Sequence, residues 1–118
     1  NAEDPDNNFC PSPGKLDFFI TPGGPHVRVD SACYSGYTIS PFYDSMIAKL
    51  IVRASDRKEA ISIAKRALKE FHISGVHTTI DFHLYLLQEQ KFLSGKYNLS
   101  YVDDLLKQNC QFKITQEH

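Results

Sequence analysis

This chain has no surplus of basic residues, no glycine-rich phosphate loop, no paired cysteines and no apolar run of membrane-spanning length. Thirteen Lys and Arg face fourteen Asp and Glu, for a net charge of -1. A phosphate backbone needs more positive charge than that, so nucleic acid is not an expected partner. A membrane span needs about 20 consecutive apolar residues, so no membrane contact is expected either. Gly14-Lys15 imitates the end of a Walker A loop, but the required upstream glycine is replaced by Phe9. Gly23-Gly24 lies between Pro22 and Pro25, which marks a turn rather than a phosphate cradle. Of the five histidines, His26, His72, His77, His83 and His118, none pairs at the i, i+4 spacing of two ligands on one helix face. No serine sits in a G-x-S-x-G elbow. Cys10, Cys33 and Cys110 are odd in number and form no C-x-x-C pair, which argues against zinc. Free thiols in a reducing, cytoplasmic compartment are the expectation. The only methionine is Met46 and the chain opens at Asn1, as expected of a processed product or a piece of a longer protein.

What is present suits one domain of 118 residues with a modest core. Residues 1–13 are polar and punctuated by Pro5, Pro11 and Pro13. Residues 15–21 read as a strand with Leu16, Phe18 and Ile20 on one face and Asp17 and Phe19 on the other. Residues 22–25 read as a hairpin tip, its glycines supplying positive φ. The return strand, residues 26–31, puts Val27 and Val29 on one face and His26, Arg28 and Asp30 on the other. Residues 46–52 are apolar on both faces except at Lys49, the pattern of a central strand covered on two sides.

Helices follow. Ala60, Ile61, Ala64, Ala67, Leu68 and Phe71 recur at i, i+3, i+4, i+7 behind a Ser55-Asp56 cap, and Asp56 with Glu59 resembles a capping box. The basic cluster Arg57-Lys58 with Lys65-Arg66 reads as that helix's solvated face. A short strand is expected near residues 71–73. A second helix is expected over residues 80–88, capped by Thr79. A third begins at Ser100, with Asp103 completing its capping pattern and Leu105 and Leu106 on its apolar side; polar fraying is expected from Lys107 onward. Strands first and helices later predict an α+β class: an antiparallel β-sheet formed mainly by the N-terminal half, packed with helices from the C-terminal half.

The densest signal is residues 37–50, where the aromatic run Pro41-Phe42-Tyr43 meets Asp44 and leads into an apolar strand. Asp44 has two readings. It bonds nearby backbone amides at a strand entrance, or it is a carboxylate flanked by rings that orients a cationic side chain. Together with Asn1-Ala2-Glu3-Asp4-Pro5 and Pro11-Ser12-Pro13-Gly14-Lys15, this segment resembles the C-terminal domain of biotin carboxylase, with the motifs in the family's order from Asn1 to about Leu106.

The resemblance implies a parent enzyme that uses Mg-ATP to activate bicarbonate and carboxylates biotin on a carrier protein. ATP, Mg, bicarbonate and biotin would be held by the N-terminal and ATP-grasp regions of the parent chain. The family's motif opens with Arg-Ile before Asn1-Ala2-Glu3, so the catalytic arginine would lie two positions before Asn1, and this chain alone is expected to bind no cofactor and to be inactive. Asn1, Glu3, Tyr43 and Asp44 would back the active site. Pro25, His26 and Arg28 would belong to a homodimer surface, although the position matching Pro25 is often aromatic in the family. Pattern alone makes Arg28 part of a solvated strand face. The parent is expected to be the free-standing biotin carboxylase subunit of acetyl-CoA carboxylase, in fatty acid synthesis. The alternatives are the equivalent domain of pyruvate or propionyl-CoA carboxylase, or a non-enzymatic interaction module.

Overall fold

Apolar side chains from the first half of the sequence meet around Leu16, which has no solvent exposure. Ala2, Ile39 and Ile47 complete that buried cluster, and Phe19, Cys33, Tyr37, Ile73 and Val76 pack against it. The computed structural model of the chain describes residues 1–108; Cys110 and His118 lie outside them. The strands are β1 (Glu3–Asp4), β2 (Cys10–Pro11), β3 (Gly14–Lys15), β4 (Phe18–Ile20), β5 (Val27–Asp30), β6 (Thr38–Ile39), β7 (Lys49–Val52) and β8 (His72–Ser74). The helices are α1 (Arg57–Glu70), α2 (Ile80–Leu86), α3 (Gln90–Leu93) and α4 (Tyr101–Gln108). The α+β class is as expected, but the strands form four separate antiparallel pairs, β1–β2, β3–β6, β4–β8 and β5–β7, rather than one continuous ladder.

The expected hairpin at residues 22–25 does not form. The chain does reverse there, with Gly24 at φ +105° and Val27 N–H donating to Gly24 O at 3.4 Å. Pro22 and Pro25 have no N–H to start a ladder, so β4 and β5 each find a distant partner instead. The expected faces of residues 15–21 also change. A bend at Asp17 separates β3 from β4 and turns both Leu16 and Phe19 inward, while Phe18 (59%) and Ile20 (54%) stay exposed. Strict alternation holds only within an unbroken strand. Nor is the segment 46–52 a central strand. Only Lys49–Val52 of it is a strand, which among the described residues pairs with β5 alone, and Lys49 and Ile51 are exposed while Leu50 and Val52 are half-buried.

Helix α1 begins as expected, with a shifted box. Asp56 Oδ1 accepts from Glu59 N–H at 2.8 Å, but the Glu59 carboxylate turns back to the N–H (3.2 Å) and hydroxyl (2.5 Å) of Ser55. Those two bonds hold the Glu59 carboxyl below its ordinary pKa. Ala67 and Leu68 are buried, and Ala60, Ile61, Ala64 and Phe71 are half-buried on the same stripe. Its basic residues are more engaged than a solvated face requires. The Arg57 guanidinium donates to Phe92 O at 2.6 Å and lies 5.0 Å from the Phe92 ring centroid, tying α1 to α3. Arg66 makes a two-pronged pair with Glu70 at 2.8 and 2.9 Å. Helix α2 buries Phe82 and Leu84, and α4 buries Tyr101 and Leu105. Ser100 reaches Asp104 (3.1 Å) rather than Asp103, and α4 runs through Lys107 to Gln108, past the expected start of fraying.

Leu68 is 7% exposed and also borders an open cleft. Leu68→Ala should therefore cost about 2–3 kcal/mol, the low end of the large-to-small range, because part of the lost contact already faces a void. Urea titration measures it, and a change under about 0.5 kcal/mol would mean that α1 does not dock on this face.

Candidate active-site wall and dimer surface

The first residues are held from two sides. Ala2 is 1% exposed; its N–H donates to Ser45 O at 2.7 Å and its carbonyl accepts from Ser12 N–H at 2.8 Å. Asn1 O accepts from Thr79 N–H at 3.0 Å, and the Asn1 nitrogen donates to Thr79 Oγ1 at 3.1 Å. In a longer chain that nitrogen is a peptide N–H, which still has one donor for the bond. Asn1 Nδ2 donates to Glu3 Oε1 at 2.8 Å. Desolvation pushes the Asn1 ammonium below its ordinary pKa, and the Glu3 and Asp44 carboxylates oppose that shift. Asn1, Glu3 and Asp44 thus share one electrostatic neighbourhood, although 41 residues separate Glu3 from Asp44 in the chain.

Asp44 Oδ1 accepts from Met46 N–H at 2.7 Å, closing a local turn at the entrance to the apolar segment. This is the first of its two readings. The rings expected to shield it do not: Phe42 is 89% and Tyr43 is 83% exposed. The carboxylate therefore sits in open surroundings, and any dry ion pair on it needs cover from outside the described residues.

Pro25, His26 and Arg28 are all exposed. His26 has φ +64°, a left-handed conformation in which histidine, like asparagine and aspartate, is found more often than other non-glycine residues. Its carbonyl accepts from Arg53 N–H at 3.0 Å. Arg28 lies on the outer face of β5 with its Nε 3.3 Å from Asp30 Oδ1, in an ion pair too exposed to contribute more than about 0–1 kcal/mol.

Two features had no signal in the sequence. One is the hydroxyl of Thr79, expected to cap α2. Thr79 does hold the cap position, but its hydroxyl makes no capping bond and serves Asn1 instead. The other is a largely apolar cleft of 460 Å³ between the β7 segment, α1 and α2, with Leu50, Ala64, Ile80 and Leu86 in its walls and Asn1 and Thr79 at its edge. His83 also lines it, and desolvation, with a smaller push from the Asn1 ammonium, lowers the pKa of its imidazole. Among the described residues no three His, Cys, Asp or Glu side chains come together as a metal site.

This is an α+β domain with a polar seam built on Asn1, Glu3 and Thr79. Residues 1–104 match the family model for the biotin carboxylase C-terminal domain, and the chain belongs to that family. It is 54% identical over 103 residues to biotin carboxylase 1 of Bacillus subtilis, covering 87% of this chain and 23% of that one. It is 51% identical over 104 residues to a pyruvate carboxylase subunit of Methanothermobacter thermautotrophicus, covering 88% and 21%. Among solved structures, the dimeric biotin carboxylase domain of the Hydrogenobacter thermophilus 2-oxoglutarate carboxylase, in complex with MgADP, ADP and bicarbonate, superimposes with a TM-score of 0.89 at 38% identity, over 98% of this chain and 25% of that one. The chain thus spans about a quarter of the length of the proteins it matches.

The two readings of Asp44 separate by substitution. Asp44→Asn keeps an acceptor for Met46 N–H and should leave stability within about 0.5 kcal/mol, whereas Asp44→Ala should lose about 0.5–1.5 kcal/mol with the bond. Chemical denaturation of both variants checks this; equal losses would show that the charge, not the turn, is what the fold uses.

Proposed function

We propose that this chain is the C-terminal domain of a biotin carboxylase, an ATP-dependent ligase that activates bicarbonate and carboxylates biotin. The observation that carries the reading is the family match across residues 1–104, nearly all of the described chain. In this reading ATP, Mg, bicarbonate and biotin bind the N-terminal and ATP-grasp regions of the parent, and a biotin carrier protein brings the substrate. The domain supplies a wall: Asn1, bonded to Thr79, and Glu3, which accepts from Asn1 Nδ2, with Ala2 between them donating to Ser45 O, set against the Tyr43-Asp44 turn. The exposed Pro25, His26 and Arg28 form part of a homodimer surface. The Hydrogenobacter thermophilus domain, which is a dimer, supports that assignment by analogy. A cytoplasmic location fits the exposed thiol of Cys10, and among the described residues no helix is long and apolar enough to cross a membrane.

The parent is read as the biotin carboxylase of an acetyl-CoA carboxylase, serving fatty acid synthesis, on the strength of the 54% identity to the Bacillus protein. The 51% identity to a protein of pyruvate carboxylase favours a second reading, in which pyruvate is the acceptor. Parent protein combined with its own carboxyltransferase decides between them by the product formed, a carboxylated acyl-CoA or a carboxylated 2-oxo acid.

Bicarbonate-dependent ATP cleavage with free biotin tests the main reading. The parent chain should turn over, and the 118-residue chain should give nothing above a buffer blank. An inactive parent overturns the assignment, and turnover by this chain alone overturns the division of labour.

Arg28→Glu in the parent tests the dimer surface. Loss of a paired interfacial charge costs about 2–5 kcal/mol, so the dimer dissociation constant should weaken roughly 30-fold to several thousand-fold. Sedimentation equilibrium at fixed salt measures it, and an unchanged constant returns Arg28 to a solvated strand face.

A further inference from the structure

Among the described residues Thr79 is the one buried residue whose side chain is polar and not aromatic. A buried hydroxyl needs a partner. At the start of a helix that partner is ordinarily an N–H of the first turn, and the capping residue is extended. Thr79 has neither feature: its φ and ψ are -83° and 9°, and its hydroxyl makes no capping bond. A weak substitute is Thr78 Oγ1, which accepts from Ile80 N–H at a long 3.5 Å. Helix α2 therefore starts without a proper cap, and the hydroxyl that would supply one is turned to Asn1 instead.

Thr79 grips Asn1 at two points. Its N–H donates to Asn1 O at 3.0 Å, and its Oγ1 accepts from the Asn1 nitrogen at 3.1 Å. Its carbonyl accepts from His83 N–H at 3.0 Å, so the same residue is bonded into the first turn of α2. The two bonds to Asn1 fix the peptide units on either side of its Cα. They thereby fix the direction of its side chain, whose Nδ2 reaches Glu3 Oε1 at 2.8 Å. Ala2, the next residue, is held by backbone groups alone, through Ser45 O at 2.7 Å and Ser12 N–H at 2.8 Å. Of these anchors the Thr79 hydroxyl is the one that a side-chain substitution removes.

We infer that Thr79 is a positioning residue for biotin carboxylation: its hydroxyl sets the Asn1 peptide and, through Asn1, the Glu3 carboxylate in the active-site wall. This rests on the reading of the chain as a biotin carboxylase domain with Asn1 and Glu3 in that wall. Thr79 touches no substrate in this role and acts through the main chain. Without the hydroxyl, the Asn1 N–H loses its acceptor beside the apolar cleft that Asn1 and Thr79 both line, and it must turn elsewhere to be satisfied. The Asn1 side chain then moves off Glu3. A displacement of about 1 Å in the groups that position a reaction costs roughly 100-fold in rate. The uncapped start of α2 fits this role, because local rules are broken where function sets the geometry.

Steady-state kinetics of the parent protein with free biotin test this. Thr79→Val keeps the shape and removes the acceptor. It should lower kcat/KM for biotin by roughly 10- to 100-fold and leave KM for ATP unchanged, because the nucleotide binds other regions of the parent. Thr79→Ser keeps the hydroxyl and should restore most of the wild-type kcat/KM. Asp56→Ala removes a true cap, that of α1, and should lower Tm with kcat/KM unchanged, which separates position from general stability. Where Thr79→Val does not fold, Thr79→Cys replaces it, since its sulfur is only a weak acceptor; the loss should be of the same kind. Wild-type kcat/KM in the variant without a good acceptor overturns the inference. So does an equal loss in Thr79→Ser, which puts the effect in packing, or in Asp56→Ala, which puts it in stability. A matching rise in KM for ATP also overturns it, by showing a global disturbance. An inactive wild-type parent sinks the enzyme reading together with this inference, whereas an active parent with unaltered kinetics in the acceptor variant sinks this inference alone.

Discussion

The fold depends on one close crossing. Gly75 has φ +102°, and a Cβ placed there would lie 2.1 Å from Lys15 O and 3.1 Å from Asp17 N. No side chain fits, so the backbone at residues 15–17 can press directly onto the residue that follows β8. The contact is bonded as well as close: Asp17 N–H donates to Ser74 O at 2.9 Å and Phe18 N–H to Ser74 Oγ at 3.2 Å. The bend at Asp17 follows from this crossing. So does the inward turn of Leu16, the centre of the buried cluster, and of Phe19, which packs against that cluster.

The crossing also sets up the polar seam. Beyond Gly75 the chain is tied to Ser12 through His77 N–H at 3.0 Å, and two residues later Thr79 is in place to hold Asn1. Asn1-Ala2-Glu3 is therefore pinned between the start of α2 and the loop before β7, and Asp44 comes into its electrostatic range. Among the described residues no element is longer than α1, and no strand exceeds four residues. The precision of the seam comes from backbone bonds between segments far apart in sequence. The Ser12 and Thr79 hydroxyls add to them, and the first three residues are fixed without any salt bridge among them.

That distance explains what could be read from the sequence and what could not. Helix α1 was legible because its signals are local: a cap at Asp56 and an apolar stripe repeating within fourteen residues. The class was legible because strand-like segments precede helix-like ones. The pairing was not. Phe18 faces Ser74 across 56 residues of chain, and the turn beside it, with Pro22, Gly23, Gly24 and Pro25, carries the usual marks of a local hairpin that does not form. Alternation misled at Phe18 and Ile20 because the break that inverts their faces is caused by Gly75, far outside the window. At the site, the spacing of residues could not bring Glu3 to Asp44 or give Thr79 its second partner. The geometry bonds Glu3 to Asn1 and Asn1 to Thr79, and leaves Asp44 near Asn1 by electrostatics alone.

Residues 46–52 are where the sequence and the described fold disagree most. Met46, Ile47, Ala48, Leu50, Ile51 and Val52 form a run that would be wasteful on a two-stranded edge, and here Met46 is 51% exposed and Ile51 partly open to solvent. A run apolar on both faces is selected when both faces are covered. The same segment carries the Asp44 turn at its entrance and lines the cleft with Ile47, Ala48, Lys49 and Leu50, so the exposed carboxylate and the thinly covered apolar run lie on one stretch of backbone, held to the rest of the fold by the β5 ladder on one side and by the Ala2–Ser45 bond at its start.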